Sequence, residues 1–235
     1  MRASPNADSA YELLIRDLAA DLAPVRRLRS PGVRTFSWLV IVAATAVILA
    51  MIADLPALGH RLAAAPDLWL AVTGSTSTAI LAAFAAFQLS LPDARRAWAL
   101  LPLPATLLWI VASGFGCLRA RFVPETHAAD LSEARDCLIF IIGLSVPLSA
   151  LLIIMLRRGC SLQPGLTTAT AGFAAAAAAA TLLNFFHPFD AAATDLAVHI
   201  FAVALVIVAN RAFSGRLLAT NFSRSDVTRA GARSN

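Results

Sequence analysis

Most of this chain alternates long apolar runs with short polar connectors, and the pattern repeats six times. The runs span Phe36 to Ala53, Leu68 to Leu89, Trp98 to Leu118, Leu138 to Leu156, Gly165 to Phe186, and Thr194 to Asn210. Runs of about 18 apolar residues or more are the signature of helices that cross a bilayer. The fifth is the weakest of the six, because the alanine run Ala174 to Ala180 is only mildly apolar.

The stretch before the first run has a different period. Ser9 and Glu12 stand in capping-box spacing, with Asp8 adding negative charge at the positive end of a helix dipole. Tyr11, Ile15, Leu18, Leu22 and Val25 then recur at steps of three and four, which places them on one helix face. Pro24 ends regular helix near Ala23, and Arg26, Arg27 and Arg29 follow. A helix this short is marginal in water on its own, so its apolar stripe needs a surface to lie on.

The sequence predicts an all-α protein, a six-transmembrane-helix bundle with a short cytoplasmic N-terminal amphipathic helix. Residues 1–35 form the cytoplasmic segment, 36–210 the membrane domain, and 211–235 a cytoplasmic tail without fixed structure. Composition agrees, since 59% of the 235 residues are hydrophobic and 14% are charged. Mean hydropathy is +0.73. No cleavable signal peptide is expected, because six arginines and no apolar core precede the first span. Small residues from Thr73 to Thr78 and around Gly172 let helices approach closely, while Pro102, Pro104 and Pro147 bend or begin theirs.

Charge sets an orientation. Fifteen of the nineteen arginines precede the first span, lie between spans two and three, follow span four, or lie in the tail. Only Arg61, Arg119, Arg121 and Arg135 fall on the opposite side. The positive-inside rule then places both termini and the short arginine loops in the cytoplasm, with Trp38, Trp69 and Trp98 in the aromatic belts. The net charge of +5 also admits nucleic acid, but arginines beside spans are explained by topology, and no direct nucleic-acid contact is expected. The absence of lysine excludes Schiff-base chemistry and a P-loop.

The remaining chemistry gathers on the outer side. His60, His127, His187, His199, Cys117 and Cys137 all fall there, while Cys160 lies in a cytoplasmic loop. Asp195 and His199 are four apart and so share a helix face. Cys137, His187, Cys117, His199 and Asp195 together are a candidate sensing set of thiol, imidazole and carboxylate, open to an oxidant or a soft metal. No resident cofactor is expected; a transiently held metal ion is the one ligand this set would take. The plainer reading is that the cysteines are small buried residues and that Asp195 satisfies His199. No nucleophile elbow, paired carboxylates or phosphate cradle supports an enzyme.

The run L-A-A-D-L-A-P-V-R-R-L-R-S-P from Leu18 to Pro31, followed by Arg34 and Trp38-Leu39, resembles the N-terminal signature of NrsF-type negative regulators, membrane anti-sigma factors of proteobacteria. D-A-R-R-A-W-A-L-L-P-L from Asp93 to Leu103 resembles their second cytoplasmic loop, and Cys137, Pro147, Arg157-Arg158, Pro164 and Gly165 stand in the family's order around its fourth span. The resemblance implies an extracytoplasmic-function sigma factor held at the inner membrane by the N-terminal segment and released on an outer stress signal. Relatives that answer metals or oxidants carry two outward cysteines. Cys137 matches the first, but His187-Pro188 stands where the second is expected.

On this reading Tyr11, Leu14, Ile15, Asp17, Leu18, Asp21, Leu22, Val25, Arg26 and Arg27 contact the sigma factor. Membrane lipid is the second partner, and oligomeric state is left open. The rival classes are a small transporter or channel, which needs a polar cavity between spans, and an intramembrane enzyme, which needs His199.

Overall fold

The computed structural model describes residues 5–20, 28–64, 66–122, 131–159, 161–186 and 193–219, and no strand occurs among them. Eight helices follow in order: α1 Pro5–Ala20, α2 Pro31–Ala50, α3 Leu55–Ala64, α4 Pro66–Leu89, α5 Leu103–Phe122, α6 Leu131–Leu156, α7 Pro164–Leu183 and α8 Ala193–Ala219. A 3₁₀ turn, Arg96–Leu100, precedes α5. Five helical stretches are long and apolar enough to cross a membrane, and a shorter apolar stretch, Ala197–Phe213, lies within α8.

Local sequence accounts for several of the boundaries. Ser30 caps α2 by accepting from the Val33 N–H at 3.5 Å, and Pro31 occupies the first turn, where its missing donor costs nothing. Pro164 opens α7 in the same way. Asp54 caps α3, its carboxylate accepting from the Ala57 N–H at 3.0 Å, so the connector between α2 and α4 is itself helical. α1 begins at Pro5, which puts Ser9 inside the helix rather than at its cap. The third membrane-length stretch, Arg96–Phe115, takes in Trp98, although its first turn is the 3₁₀ turn and α5 itself starts after Pro102. α8 continues past Asn210 to Ala219.

α7 is the central helix, packing against α2, α4, α6 and α8. Every residue from Ala174 to Ala180 is buried by protein. Its weak hydropathy is thereby explained. A helix shielded from lipid on all sides gains nothing from bulky apolar side chains, whereas methyl groups let four neighbours approach closely. Such close approach occurs between α4 and α5 as well as between α7 and α8. A Cβ on Gly74 of α4 would lie 2.7 Å from the Trp109 backbone nitrogen of α5, and one on Gly172 of α7 would lie 2.8 Å from Asn210 Nδ2 of α8.

Trp38 departs from the aromatic-belt expectation. It is fully buried among Ala79, Ala82, Ala83, Phe87, Leu148 and Leu152, and its indole N–H donates to the Leu148 carbonyl at 3.3 Å. Trp69 is 55% exposed and Trp98 stacks edge-on against Phe84, as side chains near span ends can.

The bundle has two chemically distinct ends. At one, the start of α2 meets the ends of α4 and α6, since Arg34 bonds to Ser90 and Met155. The connectors bearing Arg95, Arg96, Arg157 and Arg158 leave from this end. At the other, the start of α6 meets α8 through Cys137 and His199, and Phe140 meets Phe186 beyond α7.

Candidate functional site

The N-terminal face is the first site. Along α1 the side chains from Tyr11 to Asp17 are all exposed: Tyr11 64%, Leu14 55% and Ile15 65%, with Leu13 at 67% beside them. Glu12, Arg16 and Asp17 share this exposed surface. The side chain of Leu18, and residues Asp21, Leu22, Val25, Arg26 and Arg27 altogether, lie outside the described residues. Large apolar side chains standing in the open, flanked by charges of both signs, form a surface suited to a partner with an apolar groove.

The site where α6 meets α8 is smaller than the candidate set. Cys137 Sγ lies 3.9 Å from His199 Nδ1, so α6 and α8 bring a thiol and an imidazole into hydrogen-bonding range. Cys137 is 3% exposed and packs in an apolar cluster with Ile141, Ala179, Leu183 and Ala202. A groove of about 360 Å³ runs beside it, lined by Arg135, Leu138, Ala197, Val198 and Phe201. The side chains of Cys117 and Asp195, and all of His187, lie outside the described residues. Among the described residues no three or more His, Cys, Asp or Glu side chains form a group able to hold a metal.

A buried thiol next to an imidazole is chemically competent. The imidazole can accept the thiol proton, and the thiolate is the form that oxidants and soft metals attack. Sequence spacing paired His199 with Asp195 along one helix. Its contact with Cys137, 62 positions away, has no local signature.

Sequence reasoning missed one residue at the arginine end. Arg34 counts among the flanking positive charges, yet only 7% of it is exposed. Its guanidinium donates to Ser90 Oγ at 3.1 Å and to the Met155 carbonyl, and stacks 4.5 Å over the Phe87 ring. A cation so placed is held by α4 and α6 rather than by water or lipid phosphate. Its position one turn into α2, just after the Ser30 cap, was the only hint in the sequence.

No curated protein and no solved structure matches this chain. One protein-family model does, over residues 18–219, so the match takes in the end of α1 and all of α2 to α8. Tyr11, Leu14 and Ile15 lie just upstream of it. With the match covering this much of an all-helical chain rich in membrane-length helices, the protein belongs to the NrsF family, the negative regulators of sigma F.

Proposed function

We propose that this chain is a six-span anti-sigma factor of the bacterial inner membrane. It holds an extracytoplasmic-function sigma factor through α1 and the arginine-rich residues after it. The observation that carries this reading is the exposed row of Tyr11, Leu14 and Ile15, which none of the described residues covers. A family of negative regulators of sigma F supplies the class of partner.

The recognition mode is a helix laid into an apolar groove, with Tyr11, Leu14, Ile15, Leu18, Leu22 and Val25 as anchors and Asp17, Asp21, Arg26 and Arg27 setting register. Repression is occlusion, because a sigma factor held on this face at the membrane cannot engage polymerase. α8 serves as the sixth span, both termini are cytoplasmic, and the arginine connectors share their side. Anionic lipid alone is a poor match for α1, because Glu12 and Asp17 stand among its exposed residues.

The outer end receives the signal. Cys137 and His199 are the pair at which an oxidant or soft metal acts, with His187 as a third contributor from the α7–α8 connection. A transport role finds no support in the bundle interior, which Trp38 and the alanines of α7 fill.

A bacterial two-hybrid screen of residues 1–35 against the host's sigma factors tests the partner. Binding that is lost on Leu18→Asp or on charge reversal at Asp17 and Asp21 is the expected result. A segment that binds none of them defeats the proposal.

A further inference from the structure

α2 is fastened to α6 by two side-chain donors one helical turn apart. Arg34 Nη2 donates to the Met155 carbonyl and Trp38 Nε1 to the Leu148 carbonyl. The two acceptors lie two turns apart in α6 and so on one face. Arg34 also reaches α4, through Ser90 Oγ and the Phe87 ring. Its described partners are thus a hydroxyl, a carbonyl and a ring, with no carboxylate among them. Burying a guanidinium on such terms is costly unless each contact is kept, so the arrangement is intolerant of displacement.

The end of α6 bears on the same place. A Cβ on Gly159, just beyond α6, would lie 2.8 Å from the Ser90 carbonyl oxygen. Ser161 Oγ and Thr167 Oγ1 donate to the Leu89 carbonyl at 3.1 and 3.2 Å, pinning the end of α4 from the other side. At its far end α6 carries Cys137 beside His199, roughly 27 Å away at 1.5 Å per residue. One helix therefore touches both the thiol–imidazole pair and the residue from which the N-terminal segment departs.

We propose that Arg34 is the positioning residue through which movement of α6 at the Cys137–His199 end reaches the N-terminal segment. This rests on the reading above, in which the outer end senses and residues 1–35 bind sigma. A hydrogen bond is lost once donor and acceptor separate beyond about 3.5 Å, so a shift of α6 of somewhat more than an ångström is enough to release Met155 from Arg34. The start of α2 then loses its anchor, and the sigma-contacting residues, which end seven positions upstream at Arg27, change their presentation. A discrete contact made or broken supplies the two-state element that such coupling needs.

The test uses the full-length chain in cells carrying a sigma-dependent reporter, with membrane levels measured by immunoblot. Cys137→Phe overpacks the apolar cluster and wedges α6 from α8 without needing an inducer. It should raise the reporter about fivefold or more, the lower range of allosteric coupling. Arg34→Gln, which breaks the same contact, should derepress about fivefold or more by itself, and the double variant should stay within about twofold of the wedge alone. Ser90→Ala, a milder loss outside the N-terminal segment, should derepress in part.

An Arg34→Gln variant that represses like the natural chain at equal protein level overturns the proposal. So does a double variant whose derepression is the product of the two single effects, since the two changes would then act independently. A silent wedge strikes the sensing reading and removes the relay with it. An Arg34→Gln effect that Ser90→Ala does not share to any degree also rejects the relay, since Arg34 would then act in sigma contact. Should Arg34→Gln fail to accumulate, Ser90→Ala decides, and normal repression in that variant rejects the proposal.

Discussion

Replacing Trp38 by alanine removes the largest fully buried side chain among the described residues, one that joins α2 to α4 and α6. In soluble cores such a change costs about 3–5 kcal/mol. Here part of that sum is missing, because lipid tails are as apolar as the side chains they would replace, leaving lost packing and the cavity as the main terms. The lower end, about 3 kcal/mol, is therefore the expected cost. Trp38→Phe isolates the indole N–H bond to Leu148, whose loss should cost about 0.6–1.7 kcal/mol, the range of interhelical bonds in bilayers. Measured as thermal unfolding of the detergent-solubilised chain, these translate to roughly 10 °C for alanine and about 2–5 °C for phenylalanine, at about 3 °C per kcal/mol. A tryptophan merely resting in the headgroup belt would give nearly equal, small shifts for both. An alanine variant that melts within about 2 °C of the natural chain would refute the buried placement of Trp38.

Other expectations follow from the same contacts. Ile15→Asp or Leu14→Asp should weaken sigma binding by about 30-fold or more, a hot-spot loss of at least 2 kcal/mol, without changing the amount of chain in the membrane. Gly172→Leu should lower the folded yield, since its side chain would occupy the space of Asn210, and the immunoblot of membranes reads this directly. Cys137→Ser and His199→Ala should each reduce induction of the reporter by cadmium ion or diamide. Unchanged induction in both would remove the pair from signalling.

Much of the bundle was legible because a bilayer imposes one length and one composition on whatever crosses it. The α7 segment looked weak for the reason that makes it central: a helix wrapped by other helices needs small side chains rather than hydrophobic ones. Trp38 and Arg34 were misread in the opposite sense. Both residue types are frequent at membrane edges, and nothing in their immediate neighbours distinguishes an edge position from a buried one. Their partners, Leu148, Ser90 and Met155, lie 56 to 121 positions away. The Cys137–His199 pair shows the same limit, since helix-face spacing favours partners one turn apart and is blind to contacts between helices. The helix of α1 was readable in advance, because three-and-four spacing needs only local sequence.

Sigma binding by the intact chain is the most direct test of the central claim. The full-length protein, reconstituted in lipid nanodiscs, is titrated with each extracytoplasmic-function sigma factor of its host, beside a chain carrying Leu14→Asp and Ile15→Asp. One sigma factor should bind the natural chain and lose its affinity for the altered one. Equal binding to both, or binding to neither, would contradict the assignment of α1 as the surface that holds it.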